Sequence, residues 1–578
     1  LRQEFAMMMR SWIRNVFARP ATRPIRKAPH RARPALEALE DRCVPSTIVV
    51  NNPTDTPVAG QTDLRQAIAQ ANSSGGAETI TFDPTVFSTP QTISLNGAQL
   101  ELSDTTGMET IRGPTAGVTI DGGGLSRVFQ IDGGVTASIS GLTITGGGNV
   151  FGGGGVNNAG ALALTNCTVS GNSAASGGGV YNLGGTVTLT DCTVSGNAAG
   201  AGGGGGVIGL FGSTTLTDCT VSGNSTSGSG GGVVGFYGPT TLTNCTVSGN
   251  SAYIGGGLDA ISSPAILTNC TVSGNSASGR FLGGGGLRVE FGSTATLTNC
   301  TVSGNSASAG GGGVFDFVFG ATTLTNCAVS GNSALGGGVN GFNGGGVYNC
   351  FSSDVTLTNC TVSGNSANGA GGGVLNTFSS TATLTNCTVS GNSASGAGFG
   401  AGFGGFGGGV FNASTATLTD CTVRGNSAVA GGGISNRGTL NVASSNIIKN
   451  QASSAGGGVS TTGGSATITD SVINANRVAS SGTALGGGID CENSVLSLNN
   501  CTVNANQANG ATARGGGIYA LNSTVDVENS VVNGNKANGT VLGEGGGIYS
   551  FDSVLTLLAS TVKGDKATTD FDDVFDGP

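Results

Sequence analysis

The stretch "LTNCTVSGNSA", Leu164 to Ala174, returns in close copies almost to the end of a 578-residue chain. Aligned on its cysteine, the equivalent positions are Leu142, Cys167, Cys192, Cys219, Cys245, Cys270, Cys300, Cys327, Cys360, Cys387, Cys421, Ser445, Ser471, Cys501, Ser530 and Ser560. These sixteen units step by 24 to 34 residues, too few for a separate core in each. Each unit is therefore one piece of supersecondary structure that buries its apolar face only against its neighbours.

Every unit has three parts, as in "GGGVYN" at Gly177 to Asn182, "TVTLT" at Thr186 to Thr190 and "CTVSGN" at Cys192 to Asn197. In the second part Val187 and Leu189 share one face and Thr186, Thr188 and Thr190 the other, the period of a half-buried strand. Leu189 and Cys192 are three apart, so both face inward only if the chain bends at Thr190 and Asp191. The Asn or Asp before the slot supplies that bend, because its short side chain tolerates unusual backbone angles.

Three short strands per unit, stacked unit on unit, predict an all-β fold: a right-handed parallel β-helix, a three-sheet solenoid of about sixteen or more turns with like side chains piled about 4.8 Å apart. Asn recurs five residues after the slot, from Asn172 to Asn535, and Asp565 takes its place in the last unit. Stacked amides at that position predict an Asn ladder along the axis. Ahead of the repeats, Asp63 and Gln66 form a capping box for a short helix, "DLRQAIAQAN". Its face Leu64, Ala67, Ile68 and Ala71 could cover the open first turn.

The chain divides into a basic leader over residues 1–46, a capping segment over 47–115, the repeats over 116–566 and an acidic, irregular tail over 567–578. The first 42 residues hold ten Lys/Arg and four Asp/Glu, which leaves 13 against 28 in the remainder. That acidic body argues against nucleic-acid binding. No run of about 18 apolar residues marks a membrane span. The leader has no continuous apolar core of a standard secretory signal and is set aside from the fold.

The coupled motifs GGG[VI] and CTVSGNSA resemble the repeats of the polymorphic outer membrane protein family, GGA[ILV] and FxxN. Val169 to Asn172 and its copies carry the second motif, with Val in place of Phe. The resemblance runs from about Gly141 to Lys566. "STIVVNNPTDTPVAGQTDLRQAIAQANSSGGAETITFDP" is similar to the CSLREA-type segment of exported bacterial proteins, its core reduced to Asp63, Leu64, Arg65, Gln66 and Ala67, and Leu36 to Ser46 resembles a short sorting motif. The resemblance implies a bacterial extracellular or cell-surface, outer-membrane-associated protein with an adhesive role. The family's C-terminal autotransporter barrel is not read after Lys566, so self-insertion into a membrane is not expected.

A cysteine ladder reads most simply as small buried thiols, because serine takes the slot in four units and thiolates in a line do not converge on a metal. Disulfides between neighbouring turns fit the Cα window but require a particular Cβ geometry. No cofactor or metal is expected. The single histidine, His30, lies in the leader, which removes His-based catalysis from the body.

The candidate site is Asp259, Arg288, Glu290 and Asp316, in comparable places on three successive turns. It reads as a surface ion-pair network or as an acid/base pair of a polysaccharide lyase or epimerase. The Gly-rich insertion with Phe399, Phe403 and Phe406 is the candidate contact loop. A third reading is ice binding by the outward Thr-x-Thr array, although threonine is also the ordinary outward strand residue. The expectation is a non-enzymatic surface protein whose partner is an extracellular polysaccharide or a host or neighbouring cell surface.

Overall fold

The computed structural model describes residues 46–280, 283–336, 343–396 and 405–578. They form a parallel β-helix in which three sheets run the length of the coil. The front sheet has 19 strands of the "TVTLT" type among the described residues, and the side and back sheets have 18 each, of the "TVS" and "VYN" types. The coil thus makes about eighteen turns.

The register explains why the repeat is so uniform. Leu164 pairs with Leu189, Leu189 with Leu216 and Leu216 with Leu242, always in parallel and without slip. Val169, Val194 and Val221 stack likewise on the side sheet. All these residues are buried in one continuous core. Because side chains alternate across a strand, a one-residue slip would turn a whole apolar row to water.

The expected corner before the slot is present: Asn166, Asp191, Asp218 and Asn244 adopt left-handed φ of 52 to 54°. The cysteines behind it are small inward plugs. The thirteen cysteines among the described residues are free and buried. The Cys192 thiol faces the Thr190 carbonyl at 3.2 Å, and where serine takes the slot the same donation is made, from Ser445 Oγ to the Ala443 carbonyl at 2.7 Å. Serine can therefore replace cysteine without leaving an unmet hydrogen bond.

The Asn ladder runs unbroken. Asn305 Nδ2 donates to Asn332 Oδ1 at 2.9 Å and to the Val272 carbonyl at 2.9 Å, and Asn305 Oδ1 accepts from the Asn275 backbone N–H at 2.9 Å. Asp565 ends it by accepting from Asn535 Nδ2 at 2.8 Å. Right after the Asn, residues such as Ser173–Ala174 and Ala198–Ala199 add a fourth ladder of two-residue strands that the repeat reading did not count. Glycine is required beside it: a Cβ on Gly178 would collide with the Ala198 carbonyl oxygen of the next turn.

Both ends differ from the boundaries read in the sequence. The segment expected to be only a cap already belongs to the coil, since Ser46–Val50 pairs in parallel with Glu78–Phe82 and contributes to the front sheet. The helix, α1 (Leu64–Ser74), has the full capping box, and Leu64, Ala67, Ile68 and Ala71 are its buried residues. Arg65 fastens it through Asp55 Oδ2 at 2.9 Å and the Gln99 carbonyl at 2.7 Å. In the tail expected to be irregular, Val574–Gly577 adds a strand beside Ile548–Phe551, with Phe575 stacked 4.5 Å from Tyr549.

Candidate functional site

The back sheet carries a second layer of side chains. In Leu287–Glu290, Leu287 and Val289 enter the main core while Arg288 and Glu290 point away from it. Such outward residues are nonetheless buried, because the Gly-rich lead-in of each turn folds over them. A Cβ on Gly177 would lie 2.8 Å from Tyr181 Cβ, and one on Gly255 would lie 2.7 Å from Asp259 Cβ. The row beneath this cover includes Tyr181, Ile208 and Val234, then Asp259 and Arg288, then Phe315, Tyr348 and Leu375.

Asp259 and Arg288 are register neighbours in this row, with Arg288 Nη1 3.4 Å from Asp259 Oδ2. Arg288 Nη2 also donates to Glu290 Oε2. Relative exposures of 0, 2 and 3% correct the surface reading of these three residues: they form a buried ionic triad. Burial raises both carboxyls above their ordinary range. Asp259 Oδ1 and Arg288 Nε have no hydrogen-bond partner among the described residues. A closed triad of this kind is costly to break and a weak source of net stability.

Asp316 does not join them. It is in register with Val289, so it lies on the core side of the strand, at the place where Asn349 continues the row. It sits close to Thr322, yet neither side chain makes a hydrogen bond of good geometry. Burial raises its carboxyl to about 7, helped by Asp354. The four candidates thus split between two faces of the sheet, and no two carboxylates among them converge on an open cleft.

Phe399 and Phe403 lie outside the described residues. Phe406 is half-buried rather than displayed: its ring lies 6.4 Å from Phe411, and the Arg437 guanidinium sits 4.6 Å above it. The outward threonine row is interrupted where Thr241 is followed by Ile266. No group of three or more metal-ligating side chains gathers among the described residues. No described helix is long and apolar enough to cross a membrane.

Two features escaped the sequence reading. One is a second buried acidic site, in which Asp490 Oδ2 accepts from Ser460 Oγ at 2.8 Å. Burial, with neighbouring Glu492, holds its carboxyl well above the usual range. The other is an aromatic ridge at the corner between back and front sheets. Phe211, Tyr237, Phe291, Phe351 and Phe378 occupy it with left-handed backbones, φ 54 to 60°, while Ser262 and Val318 take the same place on two intervening turns and Phe319 follows one residue later. Phe211 stacks on Tyr237 at 5.6 Å and Phe351 on Phe378 at 4.5 Å. Its signal is an aromatic just before the Gly or Ser of "GLFGS", "GFYGP", "VEFGS", "VFGA", "NCFSS" and "NTFSS", spread over seven turns with a gap at Ser262 and therefore hard to see as one feature.

This geometry is that of a parallel β-helix with a covered flank and a decorated corner. A family model described as the right-handed beta helix region matches residues 152–315 and 285–494, and the chain belongs to that family. No curated protein matches the sequence. Among solved structures, the chain is similar to one in the cryo-EM structure of the Vag8–C1 inhibitor complex, at 13% identity over 89% of this chain and 99% of that one, with a TM-score of 0.45. It is also similar to ORF18 of Geobacillus virus E2, at 12% identity over 63% and 62% with a TM-score of 0.27. The crystal structure of pectate lyase Pel9A aligns at 12% identity over 65% and 79%, with a TM-score of 0.23. At these scores none of the three carries a functional argument.

Proposed function

We propose that the chain is an exported, cell-surface β-helix that binds rather than catalyses, in keeping with its resemblance to polymorphic outer membrane repeats and CSLREA-type segments. The observation that carries this reading is the aromatic ridge. Phe211, Tyr237, Phe291 and Phe319 are 60, 56, 53 and 67% exposed. The left-handed backbone costs a bulky residue roughly 1–2 kcal/mol, and equivalent corners elsewhere use Gly463, Asn493 or Asn522. Large exposed rings held in a strained conformation along one edge suit an adhesive contact with a neighbouring surface.

The polysaccharide lyase or epimerase reading loses its strongest residues to burial. The test compares labelled full-length protein with a Phe211→Ser/Tyr237→Ser/Phe291→Ser variant for retention on cells of its own culture. Adhesion predicts loss of retention in the variant with its thermal unfolding little changed. Turnover of any member of a polysaccharide panel that stops in Asp316→Asn would replace adhesion with catalysis.

A further inference from the structure

The last five turns change their outside at one corner while keeping their inside. In the middle turns, the outward residue ending each side strand is serine, as in Ser363 and Ser390, the corner is glycine and the next ladder begins with serine. From Arg424 onward the first of these rows reads Ile448, Asn474, Asn504, Asn533 and Lys563, each in register with the next. Across the corner a second row reads Gln451, Arg477, Gln507, Lys536 and Lys566. Between the rows, Ala475, Ala505, Gly534 and Gly564 form a floor of small left-handed residues.

The first row and the corner floor of the last three turns line a shallow cleft of about 440 Å³, formed by Asn504, Ala505, Asn533, Gly534, Lys563 and Gly564, and the second row lies beside it. The amides in it are not spent on one another. In the inner ladder every amide bonds to the next turn, and at the exposed corner Asn269 Nδ2 donates to Asn244 Oδ1 at 3.1 Å. Asn504 Oδ1, by contrast, is buried without a hydrogen-bond partner among the described residues.

Six of the 13 Lys/Arg that follow residue 42 lie on this one edge: Arg424, Lys449, Arg477, Lys536, Lys563 and Lys566. None forms an ion pair among the described residues, whose bridges involve only Arg65, Arg288 and Arg514. The carboxylates nearby are engaged at the final turn, Asp565 in ending the Asn ladder and Asp572 and Asp573 in accepting backbone N–H groups. An acidic body therefore carries one local cationic stripe with amides set into it.

We infer that this corner is a binding site for an acidic polysaccharide lying along the solenoid axis. Amides present donors and acceptors to sugar hydroxyls, the cations meet carboxylate or sulfate groups, and the rows repeat about every 4.8 Å, close to the length of one sugar ring. No aromatic residue lines the corner for base stacking, which favours a glycan over a single-stranded nucleic acid. The inference stands apart from the aromatic ridge, which lies on a different corner.

The experiment measures binding of the full chain to hyaluronate and alginate, with dextran as the neutral glycan and polyphosphate as the anion without sugar. The expected result is binding to a carboxylated glycan that weakens with salt, falls at least tenfold in Lys536→Glu/Lys563→Glu, and falls several-fold with an unchanged salt slope in Asn504→Ala/Asn533→Ala. The ridge variant should bind as the parent does, so this site and the adhesive reading fail separately. No binding by the parent, equal binding to dextran or polyphosphate, or variants that bind like the parent would each overturn the inference. Lys536 and Lys563 are exposed and Asn504 and Asn533 half-buried, and matching unfolding curves exclude misfolding as the cause.

Discussion

The middle turns, from Cys167 to Cys421, and the last turns, from Ser445 to Ser560, share an interior and differ at their surface. The Asn ladder crosses from one region to the other without a break, from Asn426 to Asn450 at 3.0 Å. Outside, the middle turns carry the aromatic ridge and the covered triad, while the last turns carry half-buried amides and exposed cations. The stacking geometry constrains only residues that meet their own copy in the core. Outward rows are free to vary by region, so one coil can present two chemically distinct edges.

The largest expected effect tests whether the interior really is shared. Asn305→Leu in the middle and Asn506→Leu near the end should each cost about 4 kcal/mol, because several buried donors and acceptors lose partners at ~1–3 kcal/mol apiece. Urea unfolding measures it, and a loss confined to one region would show that the two interiors are not equivalent. Next comes the contrast of two arginines. Arg288→Met should cost about 3–5 kcal/mol by stranding buried carboxylates, and most of that should return in Asp259→Leu/Arg288→Met/Glu290→Leu. Arg477→Met, on the exposed edge, should stay within about 0.5 kcal/mol.

A pH effect follows from Asp316. Its carboxyl is raised in the fold to about 7 from an ordinary value of 3.8. The folded chain thus binds more protons than the unfolded one between those values, and stability is fully present below about pH 4 and falls as pH rises through 7. Asp316→Asn should flatten that decline and raise stability at pH 8 by up to about 4 kcal/mol. A melting temperature that fell at pH 8 would contradict it.

The smaller effects separate surface from core. Phe291→Gly should change stability by less than about 1 kcal/mol, since relief of the left-handed strain offsets the lost ring contact. Ser445→Cys should be nearly silent, within about 0.5 kcal/mol, if the slot asks only for a small group that can donate to a carbonyl. A cost above about 2 kcal/mol would mean that the last turns are packed more tightly there than the middle ones.

Much of the fold was legible before any coordinates. The Leu189-to-Cys192 offset located the corner, the five-residue spacing located the Asn ladder, and Asp63 with Gln66 marked the helix start. The candidate site was read less well. Arg288 alternates correctly to the outside of its strand, and nothing in strand periodicity says that a glycine run will then lie over it. Asp316 looked equivalent to Arg288 because both follow a Gly run, but it stands one residue further along its strand and faces the other way.

By itself the sequence determined the coil: a repeated pattern of inward apolar residues, corner Asn or Asp and stacked amides admits one parallel register, because any slip exposes the core. Only the tertiary structure decided what the outside does. Whether an outward residue is covered or displayed, and which residues some 25 to 30 positions apart become neighbours in one row, depends on how successive turns stack. Stacking converts scattered single substitutions such as Asn504, Asn533 and Lys563 into a continuous surface.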